Sequence, residues 1–171
     1  LLVPNGVDFE HFATDDVLPE SSISELPGPV VGYFGALARW VDYDLIRRTA
    51  QARPAWSFVL VGPDHDGTAA ASGLASMPNV HLMGPRPYAA LPAILAAFDV
   101  ATIPFRVDEI TNAVSPLKLF EYMAGGCPTV TTNMRECRKE DSIQVARDAD
   151  DWIPQLEQAI AEGRSPERIQ Q

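Results

Sequence analysis

The chain has 171 residues, 46% of them hydrophobic and 8% aromatic, which is typical of one soluble globular domain. No apolar run approaches the roughly 18–20 residues of a membrane-spanning helix, so the sequence predicts no membrane span. The formal charge of −10 argues against binding nucleic acid or an anionic membrane through a basic surface.

Strands and helices are predicted to alternate along the chain, because short apolar runs bounded by Gly and Pro alternate with segments of helical periodicity. The predicted strands are 30–35, 57–61, 79–83, 100–104, 129–132 and 142–146. The predicted helices are 42–52, a short helix within 64–77, 88–98, 115–124 and 148–162. Continuous apolar strands between helices favour a parallel sheet covered on both faces. The predicted fold class is α/β, with a doubly wound, mostly parallel sheet.

The helix predicted over 115–124 has clear start and stop signals. Ser115 suits the N-cap and Pro116 the first helical position, where a missing N–H costs nothing. Gly125 and Gly126 supply the left-handed turn at its end. A helical wheel predicts a buried apolar arc on one side. That arc consists of Leu117, Leu119, Phe120, Met123 and Ala124.

Lys118 and Glu121 lie three residues apart on the opposite side of this helix and are therefore neighbours in space. The helix N-terminus and Lys118 together favour a diphosphate. The Glu121 carboxylate can accept hydrogen bonds from two vicinal ribose hydroxyls. This pairing predicts a nucleotide ligand, and the alternative is a simple intrahelical ion pair.

The loops that follow the strands are the other candidates, because ligands of open α/β sheets bind at the carboxyl ends of the strands. In the first of them Gly35 allows close approach of the backbone to a phosphate, and Arg39 can bind one or remain a solvated surface residue. No Gly-x-Gly-x-x-Gly or Walker-type motif is present. The loops to inspect are 35–40, 62–66, 84–87, 105–115 and 132–135.

The segment 115–130, Ser-Pro-Leu-Lys-Leu-Phe-Glu-Tyr-Met-Ala-Gly-Gly-Cys-Pro-Thr-Val, resembles the donor-site helix and following strand of the group 1 (family 4) glycosyltransferases of the GT-B fold. It looks most like bacterial cell-surface polysaccharide enzymes with a Pro-x-Lys-x-x-Glu-Tyr signature. Segments 4–8, 31–35, 58–63 and 79–84 are similar in the same order, and the resemblance spans roughly residues 2 to 160.

The resemblance implies a ribose role for Glu121 and a nucleobase seat at 84–87, with Gly84 and Arg86 as candidates. Arg86 can stack on the base, reach a phosphate or remain a surface residue. Most members of the family carry an Arg directly after the glycine of the first loop, where this chain has Ala36. They also carry a Lys a few residues further on, near Arg39 or Trp40 here.

Most members also carry a sugar-contacting Glu eight residues before the ribose-binding one, where this chain has Ala113. Glu109, Thr111 or Asn112 can take over that contact, or the loop is a solvated connection. Ser115 completes the predicted binding residues.

The other chemistry-bearing side chains carry weaker signals. His81 is predicted to pack within a strand, and no catalytic role is assigned to His65 or His11. Cys127 and Cys137 are expected to be reduced thiols, which fits a cytoplasmic protein. No carboxylate cluster has metal-ligand spacing, so no metal and no cofactor beyond the donor are predicted, and the catalytic residues stay unknown.

The resemblance implies that the chain is the nucleotide-sugar-binding half of a hexosyltransferase using a UDP- or GDP-sugar and a glycan or lipid-linked acceptor. We expect 1–171 to be one domain of a longer enzyme and inactive alone, because it starts on Leu1 without an initiator Met and 165–171 resembles a crossing toward a partner domain. That acceptor-binding domain is the expected partner, and peripheral membrane association of the full enzyme stays open. The alternatives are an inactive nucleotide-binding or interaction module and half of a sugar-nucleotide epimerase.

Overall fold

The computed structural model describes residues 7–13 and 17–164 of the chain. Six parallel strands form one sheet in the order β3-β2-β1-β4-β5-β6. The strands are β1 (Val30–Phe34), β2 (Ser57–Val61), β3 (Val80–Gly84), β4 (Val100–Ile103), β5 (Thr129–Thr132) and β6 (Gln144–Ala146). This order confirms the predicted doubly wound α/β fold and puts the topological switch point between β1 and β4.

Helices connect the strands. They are α1 (Phe9–Phe12), α2 (Ser21–Ser24), α3 (Tyr43–Ala52), α4 (Thr68–Ala71), α5 (Leu91–Ala96), α6 (Leu117–Ala124) and α7 (Ala149–Glu162), with 3-10 turns at Leu74–Ser76, Tyr88–Ala90, Thr111–Ala113 and Cys137–Lys139. The Asp42 carboxylate caps α3 by accepting the Leu45 amide at 2.9 Å. The Asp148 carboxylate caps α7 in the same way.

Most predicted elements agree with the structure to within two residues. The helix predicted over 88–98 is instead a 3-10 turn followed by α5, because Pro92 is accepted only in the first helical turn. The helices α1 and α2 were not predicted, since four residues are too few to show a helical period. Residues 4–6 of the resemblance and the proposed crossing at 165–171 lie outside the described residues.

The start of α6 differs from the prediction. The helix begins at Leu117 with Pro116 at the N-cap position and no side-chain cap hydrogen bond, so Ser115 is not the cap and Pro116 is not the first helical residue. At the other end Gly126 has φ +60°, whereas Gly125 stays at −81°. The amides of Gly126 and Cys127 bond the carbonyls of Met123 and Tyr122, which is a Schellman ending.

The buried side of α6 also differs from the predicted arc. Leu117 is 44% exposed, whereas Tyr122 is completely buried. The Tyr122 hydroxyl accepts the Phe34 amide at 3.0 Å and donates to the Phe34 carbonyl at 3.2 Å. A tyrosine hydroxyl therefore fastens α6 to the carboxyl end of β1, a role that an apolar pattern does not reveal.

Replacing Tyr122 with phenylalanine is expected to lower the free energy of unfolding by about 1–3 kcal/mol, because the buried Phe34 amide loses its acceptor. Urea unfolding of the two chains measures the difference. Tyr88→Phe is the matched control, since Tyr88 is 48% exposed and its change should stay within about 0.5 kcal/mol. Equal effects of both substitutions would contradict the anchoring role.

Candidate nucleotide-binding site

A cavity of about 230 Å³ lies at the carboxyl ends of β1 and β2, beside the N-terminal half of α6. Four of the predicted binding residues line it: Gly35, Arg86, Lys118 and Glu121. Phe34, Ala36, Val61, Gly62, Pro63, Leu91 and Leu117 complete the lining. The volume is below the roughly 300–1,000 Å³ of complete small-molecule pockets, so it accommodates part of a nucleotide sugar.

Two glycines form one side of the cavity because the chain has no room for side chains there. Gly35 has φ +141° and Gly62 has φ +150°. The Gly35 amide donates to the Val61 carbonyl at 2.8 Å, and the Gly62 amide donates to the Gly84 carbonyl at 2.9 Å. A Cβ on Gly62 would collide with the carbonyl oxygen of Gly35. The carboxyl ends of β1, β2 and β3 therefore meet through backbone contacts. Gly84 accepts the Gly62 amide but does not line the cavity.

Lys118 reaches into the cavity from the first turn of α6. Its stem passes over Gly35, where a Cβ would lie only 2.5 Å from Lys118 Cε. The ammonium lies 5.5 Å from the centroid of the Tyr33 ring and 5.0 Å from that of Phe105. Burial lowers the pKa of Lys118 to about 8, against the opposing effect of Glu121. Within residues 7–13 and 17–164, no carboxylate forms an ion pair with this ammonium.

Glu121 is only 6% exposed although it carries a carboxyl group. Burial raises its pKa, while the charges of Lys118 and His11 act in the opposite direction. No group of the described part of the chain donates a hydrogen bond to it. A carboxylate held in this way has its lone pairs available for hydroxyl donors of a ligand.

An aromatic contact near Glu121, outside the cavity lining, was not predicted. His11 stacks on Tyr88 with the ring centroids 4.6 Å apart, and its Nε2 lies 3.1 Å from the Tyr88 carbonyl oxygen. Arg86, exposed and close by in sequence, lines the cavity. Helix α1, which carries His11, was not predicted either. The sequence signal for the contact with Tyr88 was therefore limited to the neighbouring aromatic residues His11 and Phe12.

Arg39 is exposed and does not line the cavity. Its amide donates to the Asp66 carboxylate at 3.0 Å, and a bridge between Leu37 and Asp64 joins the same two loops. The loop after β1 therefore folds toward the loop after β2. Consequently, the structure does not bring Arg39 to Lys118, and a phosphate role for it remains a prediction.

Two predicted binding groups of the loop between β4 and α6 bond to the protein's own backbone. Thr111 is 3% exposed, and its hydroxyl donates to the Arg106 carbonyl at 2.5 Å. Asn112 Oδ1 accepts the Arg135 amide at 3.1 Å. Ser115 lies just before α6, outside the lining residues. These contacts hold the shape of the loop, so a sugar contact from Thr111 requires the loop to change.

The remaining chemistry-bearing residues lie away from the cavity lining. His65 is exposed after β2, and His81 is half-buried in β3 as its strand position predicted. Cys127 and Cys137 are both buried, and neither forms a disulfide. In the described ranges, no group of three or more His, Cys, Asp or Glu could hold a metal ion.

Comparison with known proteins decides the family. The sequence matches the glycosyl transferases group 1 over residues 28–162. The chain belongs to the group 1 glycosyltransferases. A relative named for teichuronic acid biosynthesis, the glycosyltransferase TuaH of Bacillus subtilis (strain 168), is 34% identical over 139 residues. The match covers 80% of this chain and 35% of TuaH, so the chain spans about a third of that relative.

Solved structures confirm the fold of this glycosyltransferase chain. HepE of Anabaena, solved in complex with UDP and glucose, has 22% identity and a TM-score of 0.61 over 92% of this chain and 45% of HepE. Sucrose-phosphate synthase of Thermosynechococcus elongatus has 17% identity and a TM-score of 0.67 over 99% of this chain and 47% of that one. At these identities the likeness establishes the fold alone. No helix within the described residues is long and apolar enough to cross a membrane.

Proposed function

We propose that the cavity beside α6 binds the nucleoside diphosphate of a UDP- or GDP-linked sugar, the donor of a group 1 glycosyltransferase. The observation that carries the proposal is the pair on α6. Lys118 presents a cation without an ion-pair partner in the described chain, and Glu121 presents a buried carboxylate without a donor. The two groups complement a diphosphate and a ribose, respectively.

The chemistry of sugar transfer requires stabilisation of the departing diphosphate. The N-terminus of α6 and the Lys118 ammonium place positive charge at one end of the cavity, and such preorganised charge is worth most where water is excluded. HepE was solved with UDP-glucose, which supports a UDP-linked donor here. The complete enzyme is proposed to transfer a hexose to a glycan or lipid-linked acceptor together with an acceptor-binding domain, in the cytoplasm.

The test is a calorimetric titration of the chain with UDP, UDP-sugars, GDP and GDP-sugars, with uridine as the ligand that lacks phosphate. We expect a UDP or GDP series to bind and uridine to bind far more weakly. A folded chain that binds none of the diphosphates would overturn the proposal and favour an inactive module. Turnover of a bound UDP-sugar to its epimer would instead favour the epimerase alternative.

Glu121→Ala is expected to reduce the affinity for UDP about 10- to 100-fold, because hydrogen bonds to a charged group contribute about 1.5–3 kcal/mol. The same substitution should change the affinity for 2′-deoxy-UDP much less, since that ligand lacks one of the two ribose hydroxyls. Titrating both ligands into both chains measures the difference. Glu109→Ala is the control, because Glu109 is exposed outside the cavity lining. Parallel losses for UDP and 2′-deoxy-UDP would contradict the ribose role.

A further inference from the structure

Lys118 is a half-buried cation whose ammonium lacks a carboxylate partner among the described residues. Taking an ammonium out of water costs free energy, and buried lysines are normally paired with a carboxylate. Here Glu121, on the same helix, influences the pKa of Lys118 but forms no ion pair with it. Something else must therefore hold the ammonium in the cavity.

Two aromatic rings face the Lys118 ammonium, one in β1 and one just after β4. Tyr33, in β1, lies 5.5 Å away by its ring centroid, and Phe105, just after β4, lies 5.0 Å away. Both distances are within the roughly 6 Å range of cation–π attraction, which is stronger when the cation is desolvated. The rings supply attraction without supplying a negative charge that would neutralise the ammonium.

The two rings are themselves fixed before any ligand arrives. The Tyr33 hydroxyl donates to the Ala36 carbonyl at 2.9 Å, and Phe105 is 6% exposed. The centroids of the two rings are 6.2 Å apart at an interplanar angle of 60°. A bridge between Val41 and Phe105 joins the loop after β1 to the loop after β4. The absence of a Cβ at Gly35 lets the Lys118 stem pass between α6 and this pair of rings.

We propose that Tyr33 and Phe105 are positioning residues for Lys118, whose ring faces replace a carboxylate partner and so keep the ammonium unneutralised for the diphosphate of the ligand. This inference rests on the proposed function for its ligand, but the ring contacts exist without one. The resemblance leads one to expect further basic residues near Ala36. Because the rings keep its charge available, Lys118 can bind the diphosphate without them.

The experiment measures the titration of Lys118 directly. The chain has two lysines, Lys118 and Lys139, so NMR of the ¹³C- and ¹⁵N-labelled lysine side chains gives two resolvable signals. Lys139 is exposed and paired with Glu136, and it provides the reference. Replacing Phe105 site-specifically with 3,4,5-trifluorophenylalanine keeps the shape of the ring and weakens the negative charge of its face.

We expect the trifluoro ring to lower the pKa of Lys118 below about 8, by roughly 0.5–1, and Phe105→Leu to do the same. Tyr33→Phe keeps the ring face and should leave the pKa of Lys118 nearly unchanged. Among the described residues, the other titratable groups that act on Lys118 are Glu121 and Cys137. Burial raises the pKa of Cys137 to about 11 and that of Tyr33 well above its usual value, so neither ionises near pH 8. Glu121→Gln separates the effect of the carboxylate.

An unchanged Lys118 titration in both Phe105 variants would overturn the inference, as would a wild-type Lys118 that titrates like Lys139. Because this titration uses no nucleotide, it is independent of the proposed function. Failure of UDP to bind while the fluorinated ring shifts Lys118 would refute the function and leave the positioning role intact. UDP binding that is unaffected by the fluorinated ring, with no shift of Lys118, would refute the positioning role alone.

Discussion

Gly62→Ala is expected to lower the free energy of unfolding by about 3 kcal/mol or more and to abolish nucleotide binding. The φ of +150° strains any residue with a Cβ, at a cost of about 1–3 kcal/mol. In addition, the new Cβ would collide with the Gly35 carbonyl oxygen, which is backbone and cannot swing away. Urea unfolding followed by titration with UDP measures both effects.

Gly73→Ala separates strain from collision. Gly73 also has a positive φ, +75°, but a Cβ there meets nothing within 4 Å. Its substitution should cost about 1 kcal/mol and leave UDP binding unchanged. If Gly62→Ala were no more destabilising than Gly73→Ala, the close approach of the loops after β1 and β2 would be contradicted.

Lys118→Met is expected to reduce the affinity for UDP by about 10- to 100-fold, because a charge-assisted contact with the diphosphate is lost while the apolar stem is retained. Stability should rise or stay level, since methionine removes the desolvation cost of the half-buried ammonium without leaving an ion-paired carboxylate behind. Calorimetry with UDP and urea unfolding give the two quantities.

Lys139→Met is the matched control for that substitution, because it removes the other lysine of the chain from an exposed ion pair with Glu136. Its effect on UDP binding should be negligible, and its effect on stability should stay within about 1 kcal/mol. Equal losses of affinity for the two variants would assign the effect to the net charge of the chain rather than to the cavity.

The strands were the most predictable part of the fold, because β1, β2 and β4 are buried along their whole length and read as continuous apolar runs. The predicted apolar arc of α6 was right for Leu119 and Ala124 and wrong for Leu117, for a physical reason. Leu117 faces the cavity and is exposed, whereas Tyr122 is buried because its hydroxyl bonds the end of β1. Hydrophobic periodicity indicates which side of a helix faces the core. It does not indicate that a polar hydroxyl is buried because it bonds to the backbone.

The sequence predicted those candidate binding residues whose location follows from their position in the chain alone. Four of the predicted residues follow strands or lie in the first five residues of α6, and the sheet topology brings them to one cavity. They are Gly35, Arg86, Lys118 and Glu121. Thr111 was a candidate by residue type, yet its hydroxyl serves the turn at Asp108 and the Arg106 carbonyl. Whether a polar loop side chain faces a ligand or its own backbone depends on tertiary contacts that the sequence pattern does not contain.

The electrostatics of the site contrast with those of the whole chain. The formal charge is −10, whereas the cavity lining combines Lys118, Arg86 and the start of α6 with one carboxylate, Glu121. The acidic surface repels anions in general, so selective binding of a diphosphate depends on this local arrangement. Of the two cavity-lining cations, Lys118 packs against the buried rings of Tyr33 and Phe105, whereas Arg86 is exposed.

A crystal structure of the chain with UDP tests the central proposal most directly. We expect the diphosphate oxygens to lie within hydrogen-bond distance of Lys118 Nζ and the start of α6, and the ribose hydroxyls to lie at the Glu121 carboxylate. UDP bound elsewhere, for example at Arg39 with the cavity beside α6 filled only by water, would contradict the account.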